Sequence, residues 1–95
     1  MSKIKNEQTD EVFKAILSLQ TLDECYNFFE DICTIKEIED IALRYRVANL
    51  LVEKKSYKEI TDITGASSTT ITRVNKCLQY GNDGYRIVLE RTKNV

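Results

Sequence analysis

Ninety-five residues, 42% hydrophobic and 31% charged, make one domain with a thin core. No apolar run nears the roughly 20 residues that span a bilayer, and the polar start Met1-Ser2-Lys3-Ile4-Lys5-Asn6-Glu7 lacks a signal peptide's apolar stretch, so a cytoplasmic protein with no membrane partner is expected. Histidine is absent and Cys25, Cys33 and Cys77 form no C-x-x-C pair, which removes most zinc sites, histidine bases and triads; neither a metal site nor an enzyme is expected.

Three glycines and no proline supply too few turn residues for a β-rich fold, so the chain should be all-α. Val12, Phe13, Ile16 and Leu17 form a stripe at helical spacing and predict a first helix over about 8–19. The next starts are marked by capping boxes, Thr21-Leu22-Asp23-Glu24, Thr34-Ile35-Lys36-Glu37 and Ser56-Tyr57-Lys58-Glu59. In such a box the hydroxyl accepts the N3 amide while the N3 carboxylate reaches back to the cap amide.

After the first box, Leu22, Cys25, Phe28, Phe29 and Ile32 carry a helix to about residue 33. After the second, Ile35, Ile38, Ile41, Ala42, Tyr45, Ala48, Leu51 and Val52 mark a long helix ending near Lys54. The third opens a short helix with Tyr57, Ile60 and Ile63 inward, stopped by Gly65. Ser67 is the expected cap of a fifth helix over 68–80, lined by Ile71, Val74 and Leu78 and closed by Gly81-Asn82-Asp83-Gly84. A sixth runs from Tyr85 to about Lys93. The cysteines fall at apolar helical positions and are expected to be buried as small hydrophobes.

The net charge of −1 hides an asymmetry. Residues 1–53 hold six Lys/Arg against eleven Asp/Glu, and residues 54–95 hold eight against four. A basic half suits a polyanionic partner. Within it, 56–80 reads as helix, tight turn and second helix, the helix-turn-helix arrangement, and residues 63–82 contain no acid. The second helix carries Ser68, Thr69, Thr70, Thr72, Arg73, Asn75 and Lys76 away from its apolar stripe. Threonine is a poor helix former, and a merely solvated face would favour Glu, Lys, Gln or Ala. Short hydroxyls let a helix come close to base edges, and Arg reads guanine or holds a phosphate. Base readout is therefore assigned to Ser68, Thr69, Thr70, Thr72 and Arg73, and phosphate contacts to Lys54, Lys55, Lys58, Ser67 and Lys76.

Thr70-Ile71-Thr72-Arg73, the opening Ser56-x-x-Glu59-Ile60 and the Gly65-Ala66 turn resemble the Trp repressor family. Over about 8–91 the chain resembles, more closely than Trp repressor, that family's YerC/YecD group, while the likeness to Trp repressor itself runs from about Thr34 to Leu78. The resemblance implies six helices in an intertwined homodimer, with 8–54 and 85–93 as dimerisation core and 56–80 as reading head of a single domain. It implies that Thr70 and Thr72 contact DNA, that Lys58 contacts phosphate, and that Ser67, Ser68 and Thr69 occupy contact positions with altered residue types. Arg46 and Arg73 match the two arginines that sandwich the tryptophan corepressor, and Thr34 matches a residue lining that pocket. Where the family has Gly after the second arginine, this chain has Val74, so no tryptophan cofactor is expected.

The reading that follows is a homodimeric transcriptional regulator, a repressor, that binds double-stranded DNA at a near-palindromic operator. The alternative is a helical protein–protein interaction module that keeps this fold without binding DNA, which the overall acidity favours.

Overall fold

The computed structural model describes residues 2–93. It contains six helices and, among the described residues, no strand: α1 (Glu7–Leu17), α2 (Leu22–Ile32), α3 (Ile35–Val52), α4 (Tyr57–Thr64), α5 (Ser68–Tyr80) and α6 (Gly84–Thr92). The expected helices are all present, most with ends shifted by one or two residues. Among the described residues no helix is long and apolar enough to cross a membrane.

The helix starts follow local hydrogen bonding. At α3 the Thr34 hydroxyl accepts the Glu37 amide at 3.1 Å and the Glu37 carboxylate accepts the Thr34 amide at 2.8 Å. Ser56 and Glu59 make the same exchange at α4. At α2 only half the expected box forms. Thr21 accepts the Glu24 amide, but the Glu24 carboxylate accepts the amide of Gln20, one residue before the cap, because that N–H is the one facing it. At α1 Asn6 and Thr9 cap each other reciprocally, a start the S/T-x-x-E pattern does not reveal. This helix stops at Leu17, earlier than expected, because the Ser18 amide and hydroxyl both turn onto the Ala15 carbonyl.

The end of α3 is a Schellman turn. The Lys55 amide donates to the Leu50 carbonyl at 3.1 Å and the Lys54 amide to that of Leu51 at 3.0 Å. Lys54 holds the left-handed position, φ 67°, where glycine is the usual occupant.

The chain divides into two compact units, Met1–Ile38 and Glu39–Val95, with the division inside α3. In the first unit α1 and α2 bury no residue. Their apolar stripes lie open, with Leu17 83% and Leu22 73% exposed. The core lies in the second unit and consists of Val47, Ala48, Leu50, Ile60, Ala66, Ile71, Val74 and Leu78, with Leu43, Leu51, Tyr85 and Leu89 packed against it. Burial at this scale contributes about 1.5–3 kcal/mol for each large aliphatic side chain.

Two burial expectations are corrected. Of the three apolar residues of α4, only Ile60 is buried, while Tyr57 and Ile63 are exposed. A position three residues away lies about 60° around the helix, so an eight-residue helix centred on Ile60 carries both to its flanks. Cys77 is exposed, and Cys25 and Cys33 are half-buried, so the thiols are not core hydrophobes. Cys77 follows the core face of α5 by about 100° from Leu78, enough to bring it to the surface.

Candidate nucleic-acid interface

The turn between α4 and α5 is built by glycine and three hydroxyls. Gly65 ends α4 at φ 77°, and a Cβ there would meet nothing within 4 Å, so it is the backbone conformation that calls for glycine. The Thr64 hydroxyl donates to the Ile60 carbonyl at 2.7 Å and accepts the Ala66 amide at 3.0 Å, while Thr61 donates to the Ala66 carbonyl. Ser67 then caps α5, its Oγ accepting the Thr70 amide at 3.2 Å. With Ala66, Ile71, Val74 and Leu78 seated in the core, the opposite side of α5 faces outward.

That outer side is a shallow groove lined by Ser68, Thr69, Thr72, Arg73, Lys76 and Cys77. Four of the five residues assigned to base readout therefore share one surface, together with the phosphate candidate Lys76. Thr70 lies apart. It is half-buried, with its hydroxyl 3.3 Å from Ser67 Oγ, and does not line the groove. The groove is positively charged: Arg73 and Lys76 are its only charged residues, and neither is in an ion pair among the described residues.

The other basic candidates do not line the groove. Lys54 and Lys55 are exposed in the turn after α3. Lys58, on the first turn of α4, pairs with Asp62 one turn further on at 3.1 Å. Burial pushes the Tyr85 phenol up from its ordinary pKa, and the nearby Cys77 adds to the rise; Arg44 and Arg73 pull it back down.

Of the four residues expected around an effector, Arg46, Arg73 and Val74 lie in the second unit. Val74 is 1% exposed and sits in the core. Arg46 is exposed and does not line the groove that Arg73 lines. Thr34 belongs to the first unit, where it caps α3. The arginine of α3 whose charge reaches Tyr85 together with that of Arg73 is Arg44, which the sequence reading missed. Its signal was present: Arg44 lies three and four residues before the buried Val47 and Ala48, on the inward face, whereas Arg46 falls to the side. Asp62 and Cys77 were missed as well. Asp62 is four residues from Lys58, the ordinary helical ion-pair spacing.

This architecture has close counterparts. A solved TrpR-like protein from Eubacterium eligens ATCC 27750 matches with a TM-score of 0.92 at 50% identity, covering 98% of this chain and 96% of that one. A candidate Trp repressor from Staphylococcus aureus matches with a TM-score of 0.92 at 42% identity, covering 96% and 91%. The uncharacterized protein YerC of Bacillus subtilis (strain 168) is 48% identical over 95 residues, all of this chain and 91% of YerC. The model of the Trp repressor protein family matches residues 7–93. With its six helices and its helix-turn-helix head, the chain belongs to the Trp repressor family.

Proposed function

We propose that this protein is a sequence-specific DNA-binding regulator of transcription, a repressor, that acts in the cytoplasm as a homodimer on a near-palindromic operator. The observation that carries the reading is the outer groove of α5, where hydroxyls and two unpaired cations share a surface free of acids. Hydroxyls and Arg73 read base edges from the major groove, and Lys54, Lys55, Lys58 and Lys76 hold the phosphates. The exposed apolar stripes of α1 and α2 support the dimer, since a second chain would remove them from water. Two heads related by a two-fold axis meet half-sites about 34 Å apart. Regulation needs no tryptophan in this reading, which the burial of Val74 in the core supports.

Selection of duplexes from a random pool, followed by binding titrations across salt concentrations, tests this reading. The expected result is an enriched near-palindrome whose affinity falls steeply with salt. Thr72→Ala should lower affinity for it by about 1–3 kcal/mol and relax the preference. Thr70→Ala should cost less, since Thr70 is turned away from the groove. No enrichment, with retention weak at every salt concentration, would overturn the reading.

A further inference from the structure

The N-terminal end of α5 is fixed by the Ser67 cap, but its C-terminal end has no basic residue of its own. There the Gly81 amide donates to the Cys77 carbonyl at 3.0 Å, and a Cβ at residue 81 would run into that carbonyl oxygen. The carbonyls of the final turn beyond Cys77 receive no helical amide. One of them is met from another helix: Arg86 Nε donates to the Leu78 carbonyl at 3.0 Å. Asp83, at φ 63°, turns the chain so that α6 starts at once and residue 86 returns to residue 78. A cation at this end also opposes the negative pole of the α5 dipole.

The helix that carries Arg86 is itself held. Tyr85 and Leu89 pack against the core, and the Thr92 hydroxyl lies 3.2 Å from that of Tyr45 on α3. Arg86 does not line the groove of Ser68 and Lys76; it borders a separate hollow with Asn49, Glu53 and Glu90. Its place is behind the reading face.

We propose that Arg86 is a positioning residue for DNA recognition, holding the last turn of α5 and so fixing where the base-reading Arg73 stands. The inference rests on the DNA-binding reading given above. Arg73, the base-reading cation, lies six residues beyond the Ser67 cap, about 9 Å along the helix, so a tilt of about 6° about the capped end moves it about 1 Å. Such a shift is enough to break a hydrogen bond of normal length. Arg86 thereby governs specificity without touching DNA.

The test uses the full chain and the duplex it enriches from a random pool, with a scrambled duplex as control. If the unaltered chain enriches nothing, the DNA-binding reading falls, and this inference with it. If it does, Arg86→Ala should lose about tenfold in affinity for the selected duplex and less than about twofold for the scrambled one, with an unchanged salt slope. Arg86→Lys, whose ammonium can still reach a carbonyl, should restore most of the preference. An equal loss on both duplexes with a slope reduced by about one would make Arg86 a phosphate contact and overturn the proposal. Unchanged preference in Arg86→Ala would overturn it too. Should Arg86→Ala fail to fold, the decision passes to Arg86→Lys and Arg86→Gln: both retain a donor and should keep the preference, and its loss in both, with helicity intact, would count against the proposal.

Discussion

Lys58 Nζ lies 3.1 Å from Asp62 Oδ2, so the lysine that heads α4 is already engaged before any polyanion arrives. Both side chains are open to solvent, and an exposed i,i+4 pair contributes only about 0.3–0.5 kcal/mol. A phosphate can therefore displace Asp62 at little cost. Asp62→Asn should raise DNA affinity about two- to fivefold at low salt, because it frees Lys58 and removes a repelling charge. Lys58→Ala should weaken selected and scrambled duplexes alike and lower the salt slope by about one. Binding isotherms at several salt concentrations check both.

Lys54 sits at φ 67° in the turn after α3, where a side chain is strained and glycine is not. The left-handed region costs an L-residue about 1–2 kcal/mol, part of which glycine returns through its freer unfolded state. Lys54→Gly should stabilise the fold by about 0.5–1 kcal/mol, read from the urea midpoint, while weakening DNA binding. Lys54→Ala should lose the same charge without the gain in stability. A glycine variant that is both more stable and equally tight on DNA would show that the lysine has no role there.

The Glu59 carboxylate is held below the ordinary glutamate range, chiefly by the Ser56 amide that donates to it at 3.0 Å and then by the Ser56 side chain; desolvation opposes the shift, and the charge of Lys55 adds a smaller pull downward. A carboxylate more acidic when folded stabilises the fold above the ordinary glutamate pKa of about 4.3, and that contribution disappears as pH falls through the lowered value. Glu59→Gln should melt below the unaltered chain at pH 7, and the gap should close as pH drops from about 5 toward 3. A gap constant over that range would assign the effect to something other than this charge.

Much of this was legible in the sequence because capping is local. Ser56, Glu59 and Ser67 announce their roles within four residues, and Ile71, Val74 and Leu78 trace the buried side of α5 by spacing alone. What escaped depends on rotation about a helix or on the path of the chain. Thr70 and Thr72 are the same residue type two positions apart, yet that step turns the chain about 200°, and only Thr72 lines the groove. Glu24 matched its motif but took the Gln20 amide. The lysine in the glycine position of the α3 turn could not be read from composition, since the signal sought there is glycine.

Val74 is 1% exposed between Ile71 and Leu78 in the core. Removing its side chain gives up about 2 kcal/mol of burial, and glycine adds about 1 kcal/mol of helix penalty. Val74→Gly should therefore lower stability by about 3 kcal/mol without creating a tryptophan site. Calorimetric titration of tryptophan is expected to show no saturable heat with either chain. A micromolar isotherm, above all one that tightens DNA binding, would restore the corepressor role to this protein.

Two helices of 11 residues, α1 and α2, bury nothing. At that length an isolated helix is marginal in water, so backbone propensity alone does not hold either of them. In the proposed homodimer their order would draw on association, and it would become a function of how many copies are present. Thermal melts should shift upward with protein concentration, with the amplitude of the shift carried by these two helices. In a cell, the amount of the protein would set the fraction that is fully structured, and dilution at division would act on the fold itself before it acted on any operator.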